Sequence, residues 1–218
     1  MIDLIIFDSD GVLVDSEEIA LAVLAQAARG AGAQIDLPEA LALFRGLKIA
    51  DCVVEIERRS GRRVGDSFIE DVRRATALAF EADLQAVEGV HDALAAISTP
   101  VCVASNGPMS KLAQTLSLTK LQGHFAGRVF SAYEVGSWKP DPGLFLYAAE
   151  TLGADPSRCV VVEDSLTGVQ AAKAAGMRVL GFTGGRPEAG FELRRAGAQP
   201  FDRMADLPAL IAATKSSA

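Results

Sequence analysis

Short apolar runs separated by longer amphipathic segments are the main pattern along this chain. Five runs rich in β-branched and aromatic residues predict strands at residues 2–7, 100–104, 128–130, 159–162 and 179–182. Segments with the helical spacing of apolar residues separate most of these strands, at 90–98, 109–118, 142–152 and 166–175. This alternation is typical of a parallel sheet covered by helices on both faces. The pattern therefore predicts a doubly wound, Rossmann-like α/β core.

One long interval interrupts the alternation, between the first predicted strand and the second. It contains four predicted helices, at 16–29, 38–44, 48–59 and 66–84, the first of which we expect Asp15 and Glu18 to cap. An insertion of about 70 residues is too long for a loop between a strand and a helix. We therefore predict a core formed by residues 1–15 and 87–218 and an all-helical cap domain at 16–86. Because open α/β sheets bind ligands at the carboxyl edge, where this insertion begins, the cap is expected to act as a lid.

Composition narrows the class of function. The chain has 218 residues, half of them hydrophobic, and a formal net charge of -7 at pH 7. Such an acidic protein is not expected to bind nucleic acid or an anionic membrane surface. The N-terminus lacks the cationic region of a signal peptide, and the apolar runs fall short of the ~20 residues of a membrane span. The three cysteines show no paired spacing and are predicted to be free. We expect a cytoplasmic monomer or small homo-oligomer.

Polar and charged residues lie where the predicted strands end or helices begin. The segment D-S-D-G at 8–11 follows the first strand, S-N-G at 105–107 follows the second, K-P-D-P at 139–142 precedes a helix, and E-D-S at 163–165 closes the fourth strand. Each segment alone is compatible with a turn or a helix cap. Because the carboxyl ends of parallel strands meet at one edge of a sheet, their joint occurrence predicts a shared site.

These motifs, in this order and spacing, resemble those of the haloacid dehalogenase superfamily, specifically its phosphatase and phosphoglucomutase branch with a helical cap after the first strand. The resemblance covers nearly the whole chain and includes D-x-D-G-x-x-x-D at 8–15. The stretches VCVASNGP and WKPDP are further similar to bacterial 6-phosphogluconate phosphatases. The resemblance implies a phosphomonoester hydrolase that acts through an aspartyl-phosphate on a small phosphorylated metabolite. A sugar or sugar-acid phosphate such as 6-phosphogluconate is the expected substrate.

The resemblance also implies a role for each core residue. Asp8 is the expected nucleophile, and Asp10 the general acid and then the general base. Mg²⁺ is the implied cofactor, because hard oxygen ligands favour it and because carboxylates would otherwise repel an anionic ester. Its expected ligands are Asp8, the backbone carbonyl of Asp10, and Asp164, with Glu163 in direct or water-mediated contact. The residues expected to bind the phosphoryl group are Gly11, Ser105, Asn106 and Lys139.

The segment Phe44–Lys48 of the predicted cap resembles the substrate-specificity loop of the family. Arg45, Gly46 and Lys48 are therefore predicted to contact the substrate, the two cations binding a second anionic or polyol group. An ordinary turn between two helices, with solvated cations, is the alternative interpretation.

Other activities of the superfamily fit the sequence less well. Haloacid dehalogenases lack the second aspartate, which this chain has as Asp10. A β-phosphoglucomutase-like isomerase is the main alternative, but those enzymes carry a cap-hinge histidine where this chain has Ala20. A non-enzymatic binding protein on the same scaffold is a third hypothesis. Such proteins usually lose the nucleophile or the metal ligands, which this sequence retains.

Overall fold

A computed structural model describes residues 2–215 of the chain. The strands are β1 (Leu4–Phe7), β2 (Val101–Ser105), β3 (Val129–Ser131), β4 (Cys159–Glu163), β5 (Arg178–Phe182) and β6 (Gln199–Phe201). The first six helices are α1 (Glu17–Gly30), α2 (Leu37–Phe44), α3 (Ile49–Ser60), α4 (Phe68–Asp83), α5 (Val90–Ala96) and α6 (Met109–Leu118). The remaining helices are α7 (Gln122–Phe125), α8 (Ala132–Val135), α9 (Gly143–Thr151), α10 (Leu166–Ala174), α11 (Pro187–Arg195) and α12 (Leu207–Lys215).

The six strands form one parallel sheet in the order β3-β2-β1-β4-β5-β6. From β1 the chain first moves outward to β3 and then returns to β4 on the other side of β1. The carboxyl ends of β1 and β4 therefore flank the point where the direction of winding reverses, the position at which open α/β sheets bind ligands. This sheet, with its flanking helices, confirms the predicted doubly wound α/β fold.

Alternate residues of the central strand pack against opposite layers of helices. Leu4 and Ile6 of β1 belong to a buried cluster that includes apolar side chains of α9, α10 and α11. Phe7 points to the other face, where its ring lies edge-on to that of Phe125 in α7, with 6.2 Å between the ring centres. Burial of both faces explains why the strands are nearly continuous apolar runs.

The chain divides into two compact units. The core unit contains the residues before Asp15 and those from Ala86 onward, and the helical unit contains Asp15–Gln85. The helical unit comprises α1 to α4 and has its own buried cluster, which includes Leu24, Ile35 and Ile56. That this unit acts as a cap stays a prediction.

Two helix starts in the helical unit show where local sequence signals succeed and fail. The helix α2 begins as expected near Pro38, and the Asp36 carboxylate accepts a hydrogen bond from the Glu39 N–H at 2.9 Å. The prediction that Asp15 caps α1 is wrong, because Ser16 occupies the N-cap position. The Asp15 N–H instead donates to the Gln85 carbonyl at 3.0 Å, which joins the two ends of the unit.

Two further expectations are tested by the described residues. All three cysteines are free, as predicted, and all three are buried. Burial raises the pKa of the Cys52 and Cys159 thiols to about 11, so both are protonated at neutral pH. Among the helices within residues 2–215, none combines the length and apolar character needed to cross a membrane.

Candidate active site

Two acidic residues lie side by side at the carboxyl ends of the central strands. Asp8 follows β1 directly, and its N–H donates to the Val162 carbonyl of β4 at 3.0 Å. Glu163 is the last residue of β4. Only 8% of Asp8 and 1% of Glu163 is exposed to solvent. The pairing of the two strands therefore brings two carboxylates into one buried place, where each needs a partner of opposite charge.

Lys139 supplies that partner for both carboxylates. Its ammonium donates to Oδ1 of Asp8 at 2.6 Å and to Oε1 of Glu163 at 2.7 Å. The ammonium nitrogen also lies 4.9 Å from the centre of the Phe145 ring. Since only 4% of Lys139 is exposed, these ion pairs are shielded from solvent. Lys139 therefore links the ends of β1 and β4 across the predicted phosphate site.

Burial changes the protonation equilibria of this pair. Burial raises the pKa of Asp8 to about 7; Lys139 opposes the rise, while the charges of Glu163 and Asp10 add to it. Burial alone would lower the pKa of Lys139, but the charges of Asp8 and Glu163 outweigh it and raise that pKa. Lys139 is therefore a permanent cation at neutral pH, whereas further positive charge near Asp8 would lower its pKa and favour its ionised form.

Asn106 holds Lys139 in place through the backbone. Its side-chain Oδ1 accepts from the Lys139 N–H at 2.9 Å, and its Nδ2 donates to the Lys139 carbonyl at 3.3 Å. Ser105 is the last residue of β2, beside β1 in the sheet, and its Oγ accepts from the Gly107 N–H at 3.2 Å. This bond holds the Ser105 oxygen within the turn and leaves its hydroxyl hydrogen free to be donated. The side chain of Asn106 has a positioning role that sequence reasoning did not assign.

The Glu163 carboxylate accepts hydrogen bonds at both oxygens and packs against the start of α10. Its Oε2 accepts from both the N–H and the hydroxyl of Ser165, each at 2.8 Å. A Cβ atom on Gly168, in the first turn of α10, would overlap the Glu163 carboxylate. Because both of its oxygens already have donors, the geometry favours Glu163 as the support of Lys139 more than as a direct metal ligand.

The carboxylates of Asp8, Glu163 and Asp164 form a group that could hold a metal ion. One ligand oxygen from each lies within 4.8 Å of the others. Gly11 has a positive φ of 76°, and a Cβ atom there would overlap the Asp164 carboxylate. The turn after β1 thus needs glycine to leave room for Asp164. A cluster of hard oxygen donors with this spacing fits a divalent cation such as Mg²⁺.

Sequence reasoning missed two cations that pair with the acidic residues. Lys111, in the first turn of α6, donates to Oδ2 of Asp10 at 2.7 Å. Arg186, after β5, donates through Nη2 to Oδ2 of Asp164 at 3.2 Å. Lys111 follows the S-N-G motif closely and Arg186 follows two glycines, so each had a local signal. The local sequence does not predict which carboxylate each cation contacts, because these contacts depend on how the strands assemble into the sheet.

The cap residues of the prediction all belong to the helical unit. Arg45 forms an ion pair with Glu17, with 2.8 Å between Nε and Oε2. Gly46 adopts a positive φ of 73°. Lys48 is exposed at the N-cap of α3, and it forms no ion pair with any residue between 2 and 215. Contact of these residues with a substrate stays a prediction.

The fold and this site define a hydrolase of the haloacid dehalogenase type. The family of haloacid dehalogenase-like hydrolases matches residues 2–176, and the chain belongs to this family of enzymes. It is 34% identical over 182 residues to 6-phosphogluconate phosphatase of Escherichia coli K12, covering 83% of this chain and 82% of that protein. It is 35% identical over 183 residues to hexitol phosphatase B of the same organism, covering 79% of this chain and 80% of that protein.

A solved structure agrees over the whole length. A conserved haloacid dehalogenase-like protein of unknown function from Agrobacterium tumefaciens superposes with a TM-score of 0.88 at 38% identity. The superposition covers 99% of this chain and 100% of that one. The prediction of the superfamily from four short motifs is therefore confirmed.

Proposed function

We propose that this protein is a Mg²⁺-dependent phosphomonoesterase that hydrolyses a sugar or sugar-acid phosphate, such as 6-phosphogluconate, through an aspartyl-phosphate on Asp8. The observation that carries the proposal is Lys139, whose ammonium bridges Asp8 and Glu163 at the switch point of the sheet. The relatives named 6-phosphogluconate phosphatase and hexitol phosphatase B support a phosphorylated sugar as substrate.

The residues that would hold the cation are Asp8, Asp164 and the backbone carbonyl of Asp10. When bound, Mg²⁺ supplies positive charge that offsets the repulsion between the carboxylates and an anionic phosphoryl group. The same charge favours the ionised form of Asp8, whose pKa burial otherwise raises to about 7. Glu163 takes part by holding Lys139.

In the first half-reaction an oxygen of the Asp8 carboxylate attacks phosphorus. The bond between phosphorus and the leaving oxygen breaks, and Asp10 donates a proton to that oxygen, which leaves as the alcohol. Lys139, the Ser105 hydroxyl and the backbone N–H groups after β2 bind the phosphoryl oxygens and stabilise the charge that develops on them. The product is an aspartyl-phosphate on Asp8.

In the second half-reaction water releases the phosphate. Asp10 is now ionised and takes a proton from a water molecule. The oxygen of that water attacks the phosphorus of the aspartyl-phosphate at the same time. The bond between phosphorus and the Asp8 oxygen breaks, and inorganic phosphate leaves. Lys111 contacts Asp10 at 2.7 Å and so holds this carboxylate in one orientation. The cycle returns Asp8 as a carboxylate and Asp10 in its protonated form.

Phosphate release tests this proposal directly. The purified protein should release inorganic phosphate from p-nitrophenyl phosphate and from 6-phosphogluconate with Mg²⁺, and the rate should collapse in EDTA. Asp8→Asn should lower the rate by roughly 10³-fold or more, because it removes the nucleophile and keeps the shape of the side chain.

Asp92→Asn is the matched control, since Asp92 is an exposed aspartate on α5 of the same unit. It should keep full activity. A folded Asp8→Asn variant with more than a small fraction of wild-type activity would refute the role of Asp8. Conversion of a sugar phosphate to its isomer, with no release of phosphate, would show that the protein is a mutase and not a phosphatase.

A further inference from the structure

The segment after β5 is a hydrogen-bonded turn that ends in Arg186. The Thr183 N–H donates to the Phe201 carbonyl at 2.9 Å, and the Arg186 N–H donates to the Thr183 carbonyl at 3.0 Å. Gly184 and Gly185 both have positive φ, 55° and 78°, which side-chain-bearing residues rarely adopt. This glycine-rich segment shows no phosphate-binding sequence pattern.

Asp202, after β6, anchors the turn from the other side. Its Oδ1 accepts from the Thr183 hydroxyl at 2.6 Å and from the Gly185 N–H at 2.8 Å. These bonds join the ends of two adjacent strands and fix the path of the backbone that leads to Arg186. The backbone position of Arg186 is therefore fixed within the core unit.

The guanidinium of Arg186 reaches back toward the acidic cluster. Its Nη2 lies 3.2 Å from Oδ2 of Asp164, and the side chains are only 27% and 14% exposed, respectively. Asp164 is one of the three residues whose carboxylate oxygens lie within 4.8 Å of one another. Arginine stays charged at every accessible pH, so a fixed positive charge adjoins the proposed cation site.

We propose that Arg186 competes with the divalent cation for Asp164 and thereby weakens the binding of that cation. The guanidinium uses lone pairs of the same carboxylate, and its fixed positive charge would repel a divalent cation held by Asp164, because this partly buried position is incompletely screened by solvent. An ion held against this opposing charge exchanges more readily. The inference rests on the proposed Mg²⁺ dependence and deepens it.

The test measures cation binding itself, without turnover. Mn²⁺ binding to the intact protein would be followed by electron paramagnetic resonance, and Mg²⁺ binding by calorimetry. Arg186→Gln should bind Mn²⁺ about tenfold more tightly than wild type, since it removes the charge and keeps a polar side chain. Arg186→Lys keeps the charge and should stay within about threefold of wild type. Circular dichroism would confirm that each variant is folded.

Three outcomes overturn the inference, and they are distinguishable. Weaker binding by Arg186→Gln would mean that Arg186 orients Asp164 as a ligand. Equal binding by both variants and wild type would reduce the contact to an ordinary ion pair. A wild-type protein that binds no divalent cation, yet releases phosphate in EDTA, would overturn the proposed Mg²⁺ dependence as well. Tighter binding by Arg186→Gln alone is the result that supports the inference.

Discussion

Lys139 illustrates how one residue organises the site. It is a buried cation with two anionic partners, Asp8 and Glu163, and its backbone is held on both sides by the Asn106 amide. Removing Lys139 would leave both buried carboxylates without a cationic partner, and breaking a buried ion pair in this way typically destabilises a protein by about 3–5 kcal/mol. Loss of activity in a Lys139 variant therefore mixes lost stability with lost catalysis. Substitutions of Asp8 and Asp10 test the chemistry more cleanly, because Lys139 then keeps Glu163 as its anionic partner.

Asp10→Asn should slow the second half-reaction more than the first when the leaving group is good. A p-nitrophenolate leaves without help from a general acid, whereas attack by water on the aspartyl-phosphate still requires a base. Turnover should fall by roughly 10²–10⁴-fold, and phosphoenzyme should accumulate. Intact-protein mass spectrometry after an acid quench would measure the accumulation.

The double variant Asp8→Asn with Asp10→Asn is the control for the site of modification. It should carry no phosphoryl group, because the accepting carboxylate is gone. Wild-type turnover by Asp10→Asn, or phosphorylation of the double variant, would contradict the assigned roles of these two residues.

At the level of secondary structure, α10 is fitted to the end of β4. Ser165 occupies its N-cap and accepts from the Gly168 N–H at 3.1 Å, while the same Ser165 donates to Glu163. The absence of a side chain at Gly168 lets the Glu163 carboxylate lie against the first turn of the helix. Ser165 therefore caps the helix and also holds Glu163, the carboxylate that binds Lys139.

Gly168→Ala should therefore destabilise the protein, although alanine favours helices elsewhere. Its methyl group would overlap the Glu163 carboxylate, which cannot move easily because Lys139 and Ser165 bind both oxygens. We expect the free energy of unfolding to fall by about 1–3 kcal/mol, together with phosphatase activity. Chemical denaturation would measure the change.

Gly123→Ala is the matched control within the core unit. A Cβ atom at Gly123, in α7, would meet no atom within 4 Å beyond its adjoining residues and the backbone of its own helix. This variant should be neutral or gain up to about 1 kcal/mol, because alanine reduces the freedom of the unfolded chain. If Gly168→Ala were as stable and active as this control, the close fit around Glu163 would not matter for function.

At the scale of the whole molecule, the helical unit is predicted to determine the choice of substrate. The family resemblance assigns its segment Phe44–Lys48 to substrate recognition. Arg45 already has an anionic partner in Glu17, whereas Lys48 is exposed and has no ion pair among the described residues. Of the two cations, Lys48 is therefore the better candidate for a substrate carboxylate.

Lys48→Ala should lower kcat/KM for 6-phosphogluconate by ~10–100-fold, the value of one charge-assisted hydrogen bond. It should change hydrolysis of p-nitrophenyl phosphate by less than about twofold, because that ester has no remote anion to bind. Steady-state kinetics on both substrates would measure the two values.

Arg63→Ala is the control, since Arg63 is a cation of the same unit with a side chain that is 93% exposed. It should leave both substrates unaffected. Equal losses on the two substrates in Lys48→Ala would show that Lys48 supports the fold or the chemistry. No loss on either substrate would show that Lys48 is a solvated surface residue with no part in substrate recognition.

The C-terminal part of the core shows why some helices and strands were not predicted from the sequence. The strand β6 has three residues, one of which is Pro200, and only its pairing with β5 makes it a strand. The helix α11 precedes this strand and α12 follows it, and each has only nine residues. Short elements carry little apolar periodicity, so their assignment depends on the neighbours against which they pack.

The sequence by itself determined the alternation from β1 to β5, the helical insertion after β1 and the polar motifs at the strand ends. These features depend on local apolar spacing or on contiguous residues, which one chain segment contains entirely. Only the tertiary structure decided that Lys111 meets Asp10, 101 residues away, and that Arg186 meets Asp164. Such contacts follow from which strand ends become neighbours in the sheet, and the packing of the whole core sets that order.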